Sequence, residues 1–171
     1  THPFRIAPSD DRSPVSRSLI KAARPAMELA MRLPALNDLY DNIIAHDPGQ
    51  ERHFADKALE VMRIVLDLNE ESLEAIPKEG PLVVVANHPF GGIEGIILAS
   101  LLRLVRPDVI LLANEMLSCI PELRDTFFFV DVFGEDAQAK RLNAAAIRQS
   151  MSWVGDGHAL GVFPSGAVSH L

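Results

Sequence analysis

The 171-residue chain has little of what several large protein classes require. Its single cysteine, Cys119, rules out an internal disulfide and a cysteine-rich zinc site, and makes a reducing compartment the expectation. Positive charge is scarce: 16 Lys and Arg stand against 23 Asp and Glu, a formal charge of −7. That balance argues against a nucleic-acid partner, which needs a basic surface to displace counterions. Long apolar runs are missing as well. The densest, Ile93 to Val105, carries Glu94, Ser100 and Arg103, and falls short of the roughly 20 residues a spanning helix requires. Thr1 to Arg12 lacks the apolar stretch of a signal peptide. A chain that begins at Thr1 and stops just after Pro164-Ser165-Gly166 is expected to be part of a longer polypeptide. What remains is ordinary globular material, 48% hydrophobic and 23% charged. At this length such a chain buries about two-thirds of its surface, enough for one real core.

Residues 1–13 mix Pro, Ser and charge without period and are expected to form a flexible lead-in. Residues 14–76 read as a helical segment packing on the core. Val15, Leu19, Ala22, Ala26 and Leu29, then Leu36, Leu39, Tyr40, Ile43 and Ile44, recur at helical spacing, with Pro25 and Pro34 dividing the stretch into short helices. A further helix is predicted from Arg52 to Leu66. The texture changes at Pro77, and residues 77–171 read as an α/β core. Apolar strands are predicted at Leu82–Ala86, Val109–Ala113, Thr126–Val130 and Ala159–Phe163, the first buried on both faces. Helices are predicted from Gly92 to Leu104 and from Ala137 to Val154, the second capped by Asp136 and Gly155. The alternation implies an α/β fold with a largely parallel central sheet and helices on both faces.

In such sheets ligands bind beyond the carboxyl ends of the strands. The candidates are therefore Asn87, His88, Phe90, Gly91, Gly92 and Glu94 after the first strand, Asn114 after the second, Phe133 after the third, and Phe163, Pro164, Ser165 and Gly166 after the fourth. His88 leaves a buried strand just before a double glycine that opens a helix, where the backbone turns sharply and free N–H groups gather. Glu94, in the first helical turn, is placed to fold back on the imidazole. A carboxylate on one ring nitrogen leaves the other as a base, so His88 and Glu94 are assigned to catalysis and the rest to substrate contacts.

These residues carry a resemblance. Asn87-His88-Pro89-Phe90-Gly91-Gly92-Ile93-Glu94 resembles the histidine-acid motif of the glycerolipid and lysophospholipid acyltransferases, and Phe163-Pro164-Ser165-Gly166 resembles their Phe-Pro-Glu-Gly block. The order, with an Ile76 to Pro81 lead-in, matches as well, and His88-Pro89-Phe90-Gly91 resembles most the hemolysin-like branch related to ornithine-lipid synthases. The resemblance implies transfer of an acyl group from acyl-CoA or an acyl carrier protein to a hydroxyl or amine of a lipid precursor, with no further cofactor and no metal. It also implies a cytoplasmic protein, peripheral on the inner face of the cell membrane. Three features depart from the family pattern. Five residues rather than four separate the histidine from its acid, which is Glu rather than Asp. The Phe-Pro block loses its Glu and Arg, and the middle motif loses its Arg near Asp131 and Phe133. The missing arginines point to an acceptor without phosphate, with Lys140 and Arg141 as the available substitutes.

Two other readings stand beside this one: a thioesterase or lipid hydrolase in which His88 activates water, and a non-catalytic lipid-binding relative. Ser165 lies outside a Gly-x-Ser-x-Gly elbow and is not expected to be a nucleophile. His158 precedes its strand and is expected at the opposite sheet edge, in a structural role. Phe127-Phe128-Phe129 is expected to be sheet core, one ring facing an acyl channel at most.

Overall fold

The computed structural model describes residues 2–6, 23–46 and 52–165. The expected lead-in beyond residue 6 and the periodic positions Val15, Leu19 and Ala22 lie outside these, as does Gly166. The chain divides into two compact units, Thr1–Gln50 and Glu51–Leu171.

In the first unit, residues 23–30 are helical and α1 follows at Leu33–Ala45. Arg32, at φ 55°, turns the chain between them, and Pro34 sits in the first turn of α1, where its missing N–H has no bond to lose. The side-chain amide of Asn37 holds the Phe4 backbone from both sides: Phe4 N–H donates to Oδ1 at 3.0 Å and Nδ2 donates to Phe4 O at 2.9 Å.

The second unit opens with α2 (Phe54–Val61) and α3 (Glu70–Glu74). It continues as β1 (Leu82–Val85), α4 (Gly92–Arg103), β2 (Ile110–Asn114), β3 (Phe127–Val130), α5 (Ala137–Gly155) and β4 (Ala159–Val162). Short 3₁₀ turns, Glu115–Cys119 and Pro121–Leu123, join β2 to β3. The four strands form one parallel sheet in the order β1-β4-β2-β3. Side chains alternate across a strand, which locates the helices. Phe127 lies 3.6 Å from where a side chain at Gly95 of α4 would begin, while the neighbouring Phe128 meets Trp153 of α5 edge-on at 6.3 Å. Helices α4 and α5 therefore cover opposite faces, as the α/β pattern required.

Several local expectations are corrected. Leu82–Val85 is not buried on both faces: β1 is an edge strand, with Val83 52% and Val85 64% exposed. Helix α2 stops at Val61 rather than Leu66. Its end is closed by Ile64 N–H to Leu59 O (2.8 Å) and Arg63 N–H to Glu60 O (2.9 Å), with Arg63 left-handed at φ 56°. Gly155 is helical, and the left-handed residue after α5 is Gly157 at φ 93°. Asp136 does cap α5, accepting from Ala139 N–H at 2.8 Å.

Beneath the sheet, at the amino ends of its strands, lies a saturated polar network. Arg106, 1% exposed, forks onto Asp108 through Nε (2.9 Å) and Nη2 (2.8 Å) and also donates to Pro77 O and Gly157 O. His158 Nδ1 meets Asp108 Oδ2 at 3.1 Å and its ring stacks on Trp153 at 4.1 Å. His158 is thus at the sheet edge the sequence assigned to it. The guanidinium beside Asp108 holds that carboxyl down to about 2. A second polar link ties α2 to the sheet. His53 caps α2 by accepting from Ala55 N–H on Nδ1 (3.3 Å), so its proton sits on Nε2, which meets buried Thr126 Oγ1 at 2.7 Å. Burial pushes this imidazole below its ordinary pKa.

Candidate active site

The parallel sheet brings the ends of all four strands to one edge. After β1, Ala86 N–H still bonds Val162 O of β4 at 3.1 Å, and the chain then leaves the sheet through Asn87 to His88. Gly91 follows at φ 84°, ψ −139°, a backbone state for which only glycine is suited, and serves as the N-cap of α4. This reversal aims the first turn of α4 back toward the strand end. Glu94 N–H bonds Gly91 O at 3.1 Å, which sets the helix phase, and Glu94 Oε2 arrives 2.8 Å from His88 Nδ1.

Both of those atoms are sealed from water and, among the described residues, neither has another polar partner. Their separation is that of a hydrogen bond, although the ring N–H does not point along it. The five-residue spacing and the extra methylene of Glu thus meet at one contact. Phe163, at the end of β4, lies against the imidazole with centroids 4.5 Å apart and planes tilted by 31°. With Nδ1 enclosed and Phe163 packed against the ring, the face of His88 left open is the one lining a cavity.

That cavity has a volume of about 530 Å³, within the usual range for small-molecule sites. Of the sequence candidates, Gly91, Gly92, Asn114, Phe133, Phe163 and Pro164 line it with His88. Asn87, Phe90 and Ser165 do not, and Phe90 stands 81% exposed. Gly95, Leu112, Met116, Leu117, Phe127 and Val132 also line it. Sequence reading passed over most of these, because Met116 and Leu117 sit in a 3₁₀ turn with no period to read. Phe127 is the ring of the aromatic run that faces the cavity. Among the described residues the buried ones in the lining are Gly95 and Phe127, so the cavity is deepest between α4 and β3. No Lys, Arg, Asp or Glu among the described residues lines it. Among the described residues, no three His, Cys, Asp or Glu converge as metal ligands. Asp131 turns its Oδ1 to the N–H groups of Phe133 and Gly134.

A histidine 2.8 Å from a carboxylate oxygen thus lines an apolar cavity. The family model described as acyltransferase matches residues 67–170, which takes in the whole sheet and both site residues. The chain belongs to the acyltransferase family. No curated protein and no solved structure matches it at a significant level. Membership assigns acyl transfer as its class of reaction, with an acyl donor and a lipid acceptor as substrates in general. Among the described residues, no helix of this acyltransferase is long and apolar enough to cross a membrane.

Proposed function

We propose that this acyltransferase moves a fatty acyl group from an acyl-CoA or acyl carrier protein thioester to a hydroxyl or amine of a lipid precursor, with His88 as general base. The observation carrying this reading is the 2.8 Å approach of Glu94 Oε2 to His88 Nδ1 at the rim of the cavity. In the reacting complex Nδ1–H turns onto Glu94, which keeps that proton in place and leaves Nε2 to take one from the acceptor. The acceptor oxygen or nitrogen attacks the thioester carbonyl as its proton passes to Nε2. Charge gathers on the carbonyl oxygen, and the unbonded N–H groups at the start of α4 are its natural donors. Collapse expels the thiolate, which takes up the proton from His88, so no acyl-enzyme and no cofactor are needed. The imidazolium formed on the way is stabilised by the Glu94 charge. The apolar lining, from Leu112 and Val130 down to Phe127, suits the hydrocarbon tail of the acyl group. We place the protein in the cytoplasm at the inner face of the cell membrane, where soluble thioester and lipid acceptor meet, as the hemolysin-like resemblance implies.

The test is acyl transfer by the full-length protein, supplied with acyl-CoA or acyl carrier protein and a panel of hydroxyl and amine acceptors. Transfer should depend on the acceptor and fall by about 10²–10⁴-fold in His88→Ala. Free acid released at one rate with and without acceptor would instead establish a hydrolase. Unchanged transfer by a folded His88→Ala protein would end the proposal.

A further inference from the structure

Resting on the acyl-transfer reading, we infer that the acceptor reaching His88 carries no phosphate near its reacting hydroxyl or amine, and that Phe133 sets this choice. The missing arginines raised the first half of this; the structure supplies the residue and the loop that holds it. Residues 131–136 follow β3 and are built without slack. Asp131 N–H donates to Asn143 Oδ1 at 2.7 Å, and Asn143 Nδ2 donates back to Asp131 O at 2.8 Å. Asp131 Oδ1 accepts from Phe133 N–H (3.0 Å) and Gly134 N–H (2.8 Å). A side chain at Gly134 would begin 2.2 Å from Asp131 Oδ2 and 2.5 Å from the Ala139 methyl, so only glycine closes this turn. The loop is thereby fixed, and what it turns toward the cavity is Val132 and Phe133.

Phe133 is 73% exposed and yet lines the cavity. A bound ligand at the mouth would cover a large apolar surface that the fold itself leaves open to water. A phosphate there would leave water for an aromatic ring with no Lys or Arg among the described lining residues to receive it, whereas a desolvated dianion needs paired charge and several donors. Lys140 and Arg141, the substitutes the sequence offered, stand exposed on α5 and do not line the cavity. The loop's own charges, Asp131, Glu135 and Asp136, are of the wrong sign, and Asp131 Oδ1 is already occupied by backbone amides. A hydroxyl or amine avoids this penalty, because it can hydrogen-bond to His88 while its carbon chain rests on Phe133.

The experiment is a binding comparison by calorimetry, using the full chain and three probes of equal tail length: n-octanol, n-octylamine and n-octyl phosphate. The wild-type protein should bind the phosphate at least about tenfold more weakly than the alcohol or amine. Phe133→Arg, a change at an exposed side chain, should strengthen octyl phosphate binding by about tenfold and so narrow the gap. Octyl phosphate binding as tightly as the alcohol in wild type, an unchanged ratio in a folded Phe133→Arg protein, or no binding of any probe would each overturn the inference. Binding needs no turnover, so these outcomes are read whether or not acyl transfer is found. The acyl-transfer reading stands or falls separately, on the His88→Ala assay.

Discussion

Two histidine–carboxylate pairs stand at opposite edges of one parallel sheet, at 2.8 Å for His88–Glu94 and 3.1 Å for His158–Asp108. Their surroundings differ in every respect that decides chemistry. Asp108 is also gripped by the fork of Arg106, and His158 is stacked on Trp153, so that pair is woven into the fold at the amino ends of the strands. Among the described residues His88 and Glu94 have only each other for their facing atoms, with no guanidinium on either and an open apolar cavity beyond the ring. A charged third partner turns one pair into a strut. The other pair, among the described residues, lacks such a partner and faces a cavity, and the proposed proton transfer rests on that difference.

Substitutions can break this contrast from either end. The largest expected effect is His88→Ala, with acyl transfer down by about 10²–10⁴-fold at unchanged thermal stability. His158→Ala should do the reverse, costing about 1 kcal/mol of stability with turnover per folded molecule intact; parallel rate and melting measurements check both. Next, Arg106→Met leaves Asp108 and two carbonyls without their partner in a buried place and should lower unfolding free energy by about 3 kcal/mol in urea titration. Glu94→Asp keeps the charge but withdraws it by one methylene, and transfer should drop by about 10²-fold with an unaltered circular dichroism spectrum.

The smaller effects are in pH. Asp108 holds its proton less tightly folded (about 2) than unfolded (3.8), so its contribution is complete above about 3.8 and disappears as pH falls through about 2. Allowing for its partial exposure, that is about 1–2 kcal/mol, visible as an acid limb that Asp108→Asn removes. His53 behaves as a base with a lowered folded pKa: the unfolded chain takes the proton first. Its cap on α2 should therefore be fully effective above about 6.5 and be lost as pH falls below that, a change of about 1 kcal/mol. Melting curves on either side of that pH should show the change in wild type, and His53→Asn, which caps without titrating, should flatten it.

Much of this was legible in the sequence because it depends on local order. A histidine before a strand and one after it must lie at opposite edges of a parallel sheet, which separates His158 from His88 without coordinates. The Asp136 cap and the double glycine ahead of Glu94 are equally local signals. The exposure of Val83 and Val85 was not legible, since an apolar run looks the same in the centre of a sheet and at its edge. Strand order is decided by pairing between residues far apart in the chain. The same limit hid which ring of Phe127-Phe128-Phe129 faces the cavity, because an unbroken aromatic run carries no alternation. Met116 and Leu117 escaped because a 3₁₀ turn leaves no period.

The strand order also bears on when the site comes into being. β4 pairs with β1 on one side and β2 on the other, so the last of the described strands in chain order is the wedge that joins the first two. Until residues 159–162 slide into that gap, His88 has no Phe163 beside it and no floor shared with Asn114. These surroundings of His88 are therefore assembled together when β4 pairs, rather than strand by strand.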